Sequence, residues 1–65
     1  MNLIIQGGAL PTFLLERILT ACGALTVTPC PPQVVRFENA HRTPAFDTLI
    51  PLIEAEKLDW AFVEA

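Results

Sequence analysis

The residues best placed to bind a ligand are two glycines, Gly7 and Gly8, which follow an apolar run and precede an amphipathic segment. Glycines at such a junction let a ligand approach the N–H groups of a helix N-terminus, where the helix dipole favours a carboxylate or phosphate. Together with Gln6 they form the candidate ligand-binding loop. We favour a tight turn alone, because the pair lacks the longer glycine-rich patterns that cradle phosphates.

The other reactive side chains form no recognisable catalytic set. His41 is the single histidine, and no motif places a serine or cysteine nucleophile beside it, so we expect a solvated loop residue. The carboxylates Glu54, Glu56 and Asp59 could serve as acid and base, but their place at a helix end favours a solvated face. We therefore predict no catalytic residue in this chain.

The two cysteines predict neither a disulfide framework nor a metal site. Cys22 and Cys30 are eight residues apart, whereas zinc and redox motifs place cysteines closer together. We expect both to be reduced, small, buried apolar side chains.

Charge and length exclude several classes of partner. The chain has 65 residues and a net charge of −3, with its four basic residues scattered, which argues against nucleic acid and anionic membranes. No apolar run is long enough to span a bilayer and Met1-Asn2 lacks the basic start of a signal peptide, so we expect a cytoplasmic protein. Residues 1–65 are predicted to form one domain. A hydrophobic content of 52% in so short a chain suggests a surface that a partner covers.

The first half of the chain predicts a strand, a helix and a strand. Leu3-Ile4-Ile5 is typical of a central strand buried on both faces. Thr12 is a candidate N-cap and Gly23 a candidate C-terminal residue for a helix whose apolar residues recur at helical spacing: Leu14, Leu15, Ile18, Leu19 and Cys22. Residues 25–28 alternate as a strand, and the run Pro29-Cys30-Pro31-Pro32 is expected not to pair in a sheet.

The second half predicts a strand, a helix and a strand again. Residues 33–38 alternate, with Val35 and Phe37 on one face and Val34 and Arg36 on the other. Thr43-Pro44 is a typical helix start, followed by an apolar stripe of Phe46, Leu49, Ile50 and Ile53. Pro51 either kinks this helix or delays its start to near Ile50, and we expect a kinked helix to about Leu58. Residues 60–63 form the last strand.

This order of elements predicts an α+β, ferredoxin-like βαββαβ sandwich. Its four-stranded antiparallel sheet has the first and third strands in the middle and two helices on one face. The other face has no helix to cover it. We predict an interface there for docking or self-association, formed by Ile4, Val34, Trp60 and Phe62, although the spacing of Trp60 and Phe62 also suits packing in the core.

Both ends of the chain resemble a known family. Met1-Asn2-Leu3-Ile4-Ile5-Gln6-Gly7 and Leu58-Asp59-Trp60-Ala61-Phe62-Val63 are similar to the N-terminal segment of bacterial phosphoserine phosphatases. There, a small ACT-like domain precedes a catalytic domain of the haloacid dehalogenase type. The resemblance implies a parent enzyme of serine biosynthesis that hydrolyses phosphoserine with magnesium and the aspartate nucleophile of a D-x-D-x-T motif.

That motif is missing here, since Asp47-Thr48 lacks the second aspartate. The resemblance therefore implies a non-catalytic regulatory or docking domain without a cofactor, with magnesium confined to the absent catalytic domain. Its partner would be that domain or a second copy of the chain. ACT domains often bind an amino acid near the first loop, which maps onto Gln6, Gly7 and Gly8 and implies a serine sensor as the alternative.

Two other families with this order of elements are excluded. Acylphosphatases, which Ile5-Gln6-Gly7-Gly8 resembles, need an arginine in the first loop, where this chain has Ala9, Leu10 and Pro11. Heavy-metal-binding domains carry a C-x-x-C in that loop, and this loop has no cysteine.

Overall fold

Strands and helices follow one another along the chain, which a computed structural model describes over residues 1–30 and 33–64, with the backbone alone at Cys30. The strands are β1 (Asn2–Gln6), β2 (Thr26–Cys30), β3 (Val34–Glu38) and β4 (Asp59–Val63), and the helices are α1 (Thr12–Ala21), α2 (Pro44–Asp47) and α3 (Ile50–Ala55). Within these ranges, no helix combines the length and apolar character needed to cross a membrane.

All four strands belong to one antiparallel sheet with the order β2-β3-β1-β4. β1 lies between β3 and β4, so that Ile5 is opposite Val35 on one side and opposite Trp60 on the other. The chain is thus α+β, and its first and third strands lie in the middle of the sheet, as the sequence predicts.

One face of the sheet is covered by the helices. Leu3 and Ile5 of β1 and Phe37 of β3 point to this face and are at most 1% exposed. They form one core cluster with the buried residues of the helical layer: Leu14, Ile18, Cys22, Phe46, Leu49 and Ile53. Ile4, which points the other way, is only half-buried. The prediction of a strand buried on both faces is therefore wrong.

α1 has the predicted apolar stripe but a different N-cap. Pro11 is the N-cap, and its carbonyl accepts hydrogen bonds from the N–H groups of Leu14 (3.1 Å) and Leu15 (2.9 Å). Thr12 is the first helical residue, so its prediction as N-cap is wrong. After the helix, Gly23 has a φ of 64°, which confirms the left-handed residue expected there.

The predicted long second helix is two short helices. α2 ends at Asp47 and α3 begins at Ile50, which places Pro51 in the first turn of α3. A proline in that turn breaks no helical hydrogen bond, because the N–H it lacks would have no partner within the helix. The kinked helix to Leu58 is therefore wrong, and the alternative of a helix that starts near Ile50 is confirmed.

Thr43 joins the start of α2 to the end of α1. Its hydroxyl oxygen accepts a hydrogen bond from the N–H of Phe46 at 3.0 Å, as an N-cap does, and the hydroxyl donates to the carbonyl of Ala21 at 2.6 Å. One side chain thus starts α2, as predicted, and positions it against α1.

β2 extends further than predicted. Pro29 is opposite Val35 and Cys30 is opposite Val34, so the expectation that the proline run cannot pair is wrong for these two residues. The remaining prolines of the run, at positions 31 and 32, lie outside the described residues. β2 is an edge strand, where a proline is tolerated because one row of N–H groups does not face a neighbouring strand.

Candidate functional site

The loop from β1 to α1 lies close against the turn that follows α3. Gly7 has a φ of 112°, and a Cβ atom at this position would lie 3.4 Å from the carbonyl oxygen of Lys57. A Cβ atom at Gly8 would lie 3.5 Å from the side chain of Leu58. The positive φ and the close approach explain Gly7 as part of a tight turn, with no ligand needed.

The N-terminus of α1 offers an anion fewer unbonded backbone N–H groups than a helix N-terminus usually does. Pro11 has no N–H group, and the N–H groups of Leu14 and Leu15 already donate to its carbonyl. An anion at this helix end would compete with those bonds. The geometry therefore favours the turn over an anion cradle.

A cleft of about 410 Å³ lies between the first loop and the adjoining ends of β2 and β3. Its lining residues are Gly8, Ala9, Leu10, Pro29, Gln33, Val34 and Val35. Of the predicted loop residues, Gly8 lines the cleft, whereas Gln6 and Gly7 do not. Among these lining residues only Gln33 has a polar side chain, so the cleft suits an apolar group better than a charged one.

The open face, the side of the sheet opposite the helices, carries the predicted Ile4 and Val34. Ile4 lies opposite Ala61 of β4 and opposite Arg36 of β3. Val34 lies opposite Gln6, and Val63 at the end of β4 is 41% exposed. Ile4 and Val34 therefore share one surface, as predicted.

The open face is apolar towards β4 and polar towards β2. Ala61 and Val63 lie on the β4 side of Ile4, while Arg36 and Glu38 lie on the β2 side. The Thr26 hydroxyl donates to Glu38 Oε2 at 2.9 Å. A partner on this face would meet an apolar surface bordered by charged groups of both signs.

Trp60 and Phe62 do not lie on the open face, so the prediction that places them on one surface with Ile4 and Val34 is wrong. They point to the helix-covered face and pack against the core cluster. The ring centroid of Phe46 is 5.3 Å from that of Trp60 and 5.2 Å from that of Phe62, in edge-to-face geometry. Residues 60 and 62 lie on the same face of the strand because they are two positions apart. The register with β1 places them opposite the buried Ile5 and Leu3, which fixes that face as the helix-covered one.

Arg42 lies over the outer part of this aromatic group. Its guanidinium is 5.0 Å from the centroid of the Trp60 ring, and its Nε donates to Asp47 Oδ1 at 2.8 Å. This contact joins the loop before α2 to β4, at the rim of the helix-covered face.

Comparisons of the chain with protein-family models, with curated proteins and with solved structures find no match. Function is therefore inferred from the open face and the cleft. Sequence reasoning did not group the cleft residues Leu10, Pro29 and Gln33, since they come from separate segments. No pattern within any one of these segments could have grouped them.

His41, Glu54 and Glu56 lie where the sequence places them, whereas Asp59 lies in β4 and not at a helix end. His41 is exposed, and its backbone N–H donates to the carbonyl of Cys22 at 2.9 Å. Glu54, Glu56 and Asp59 are exposed. Over the ranges 1–30 and 33–64, no group of three or more His, Cys, Asp or Glu residues is arranged to hold a metal ion.

Cys22 is buried, as predicted, with 1% of its surface exposed. Its Sγ donates to the carbonyl of Ile18 at 2.9 Å, and burial raises the pKa of the thiol. A raised pKa keeps the sulfur protonated and unreactive, which suits a packing role. The prediction for the side chain of Cys30 lies outside the described residues.

Proposed function

We propose that this chain is a non-catalytic domain that docks through its open face on another protein surface. The observation that carries this proposal is Ile4, a half-buried side chain at the centre of a sheet face that no described helix covers. Ala61 and Val63 extend its apolar surface towards the sheet edge. Covering such side chains removes apolar area from water, which favours association.

The partner we propose is a catalytic domain of the haloacid dehalogenase type, as in a phosphoserine phosphatase, with a second copy of the chain as the other candidate. The resemblance at residues 1–7 and 58–63 supports this choice. The chain is then the N-terminal regulatory or docking part of a cytoplasmic enzyme of serine biosynthesis. Phosphoserine hydrolysis and the magnesium ion belong to the catalytic domain.

The fold that accompanies this function is ferredoxin-like, and more narrowly ACT-like. The strand order β2-β3-β1-β4, with β1 and β3 central, supports this fold. The packing of all the helices' buried residues into one cluster with Leu3, Ile5 and Phe37 supports it as well.

The test is an NMR titration of the ¹⁵N-labelled chain with a separately expressed catalytic domain of a bacterial phosphoserine phosphatase. We expect shifts at Ile4, Val34 and Ala61, and a loss of about tenfold in affinity for Ile4→Thr, since burying an aliphatic side chain is worth roughly 1.5–3 kcal/mol. Leu25→Thr is the matched control, because Leu25 is 76% exposed and precedes β2. Shifts confined to the helices, or none at millimolar partner, would remove the proposal.

The alternative is an amino-acid sensor that binds serine at the first loop, and the observation that favours it is the position of Gly8 in the cleft. The lining residues offer no charged side chain to the ammonium or carboxylate of an amino acid, so backbone groups and Gln33 would have to bind both. Adding L-serine to the labelled chain distinguishes the two functions. Shifts at residues 6–9 support the sensor, and unchanged spectra at millimolar serine exclude it.

A further inference from the structure

The two edges of the sheet differ in how well they are protected against pairing with another strand. β2 forms one edge and contains Pro29, and prolines on edge strands block the approach of a further strand. β4 forms the other edge with the sequence DWAFV, which has no proline and no charged residue after Asp59. Charged residues and prolines are the usual protection of an edge, so β4 is the edge open to pairing.

Two identical copies of β4 can pair antiparallel only in certain registers. Opposed residues in a sheet must point to the same face, so the two-fold axis must pass through a residue and not between two residues. An axis at Ala61 pairs the whole of Asp59–Val63 with its copy. An axis at Trp60 or Phe62 pairs fewer strand residues, and the axis at Phe62 also places Trp60 opposite Glu64.

The register centred on Ala61 brings compatible residues together on both faces. On the helix-covered face, Trp60 of each copy lies opposite Phe62 of the other, and aromatic cross-strand pairs stabilise antiparallel sheets. On the open face, Ala61 meets its own copy at the axis, where a small side chain avoids a clash. Asp59 lies opposite Val63, so no like charges are opposed.

We propose that β4 pairs antiparallel with β4 of a second copy of this chain, with the two-fold axis at Ala61. Pairing in this register joins two four-stranded sheets into one continuous sheet with all helices on the same side. It leaves the open faces of both copies uncovered and contiguous. The proposed docking function does not require this dimer, and the dimer does not require the docking function.

Charge substitutions at Asp59 and Val63 test both the dimer and its register. Both side chains are exposed, and within one copy the β1 residues opposite them are the neutral Gln6 and Asn2. In the dimer, Val63→Lys would place the lysine of each copy opposite Asp59 of the other copy. Val63→Glu would place a glutamate there, so that two carboxylates are opposed in each pair. We expect the dimer dissociation constant of V63K to be about two- to thirty-fold lower than that of V63E, for two cross-strand pairs in each dimer.

The measurement is sedimentation equilibrium of the full chain from micromolar to millimolar concentration, with unfolding curves to confirm that each variant is folded. The double variant D59K/V63E reverses the proposed pairs and should recover the affinity that V63E loses. Leu25→Lys and Leu25→Glu, beside the other edge, should leave the dissociation constant unchanged.

Two outcomes would overturn the proposal. A natural chain and a V63K variant that both remain monomeric at millimolar concentration exclude the dimer. A dimer that V63K and V63E weaken alike, and that Ile4→Thr abolishes, is formed by the open faces instead of the β4 edges.

Discussion

Neighbouring residues of β1 lie in two different environments. Ile5 is 1% exposed beneath the helices, whereas Ile4, the same residue type one position earlier, is only half-buried on the open face. Shortening a fully buried side chain leaves a cavity in the core, whereas shortening a half-buried side chain removes fewer contacts. The helix-covered face therefore supplies stability, and the open face remains available for a partner.

The largest test of this difference is the pair Ile5→Ala and Ile4→Ala. We expect Ile5→Ala to lower the free energy of unfolding by about 2–5 kcal/mol, the usual range for a large-to-small core substitution. Because a chain of 65 residues has a total stability of about 3–10 kcal/mol, I5A should lose a large part of that stability. I4A should lose about 1 kcal/mol. Urea unfolding followed by circular dichroism measures both, and equal losses would contradict the difference between the faces.

A smaller effect is expected where Thr43 connects the helices above the covered face. Thr43→Ala removes the cap of α2 and leaves the carbonyl of Ala21 without its hydrogen bond, at a cost of about 0.5–2 kcal/mol. Thr12→Ala is the matched control, since the N-cap of α1 is Pro11 and its cap has no side-chain hydrogen bond. Thr43→Ser keeps the hydroxyl and should recover most of the loss in thermal unfolding. A Thr12→Ala loss as large as that of Thr43→Ala would disprove this role.

A still smaller effect is expected at the rim, where Arg42 contacts Asp47 and the Trp60 ring. Both charged side chains are about half exposed, so water and salt screen the ion pair. We expect Arg42→Ala to lower the free energy of unfolding by about 0.5 kcal/mol at low salt and by less at about 1 M salt. Arg42→Lys, which keeps the charge but not the planar group, separates stacking from charge. A loss independent of salt for R42A would assign the contact to stacking alone.

Ionisation of Cys22 should make stability depend on pH only under alkaline conditions. Burial raises the pKa of its thiol in the folded chain, so the unfolded chain ionises first as the pH rises. The stabilisation is complete below the pKa of the unfolded thiol and is lost as the pH rises towards the folded pKa. In a Cys30→Ser background, urea unfolding should therefore show stability falling at alkaline pH, and the further substitution Cys22→Ala should remove that slope. An identical slope in both variants would refute this assignment.

The sequence predicts the order of elements because apolar spacing changes from two to three or four and back at recognisable turns. It fails where the outcome depends on neighbours. Pro29 pairs because β2 is an edge strand, and only the assembled sheet shows which strands form its edges. Pro51 is accommodated by a new helix start, the alternative that the local pattern did not favour.

The candidate surfaces divide in the same way. Ile4 and Val34 could be placed on one face from alternation alone, since register within a strand is local. Trp60 and Phe62 could not be assigned a face, because β4 pairs with β1 from the opposite end of the chain. The cleft was beyond prediction for the same reason, as its lining comes from the first loop and from the ends of β2 and β3.

The pairing of β1 with β4 also has a consequence for synthesis. Asn2 lies opposite Val63, so β1 obtains this partner only after the helices and the other strands of the domain have been synthesised. Closing so long a loop costs entropy before its contacts are gained, and contacts distant in sequence slow folding. During translation, one side of the apolar strand β1 remains unpaired until β4 has left the ribosome. Within this domain, chaperones that bind nascent chains therefore have their longest opportunity at β1.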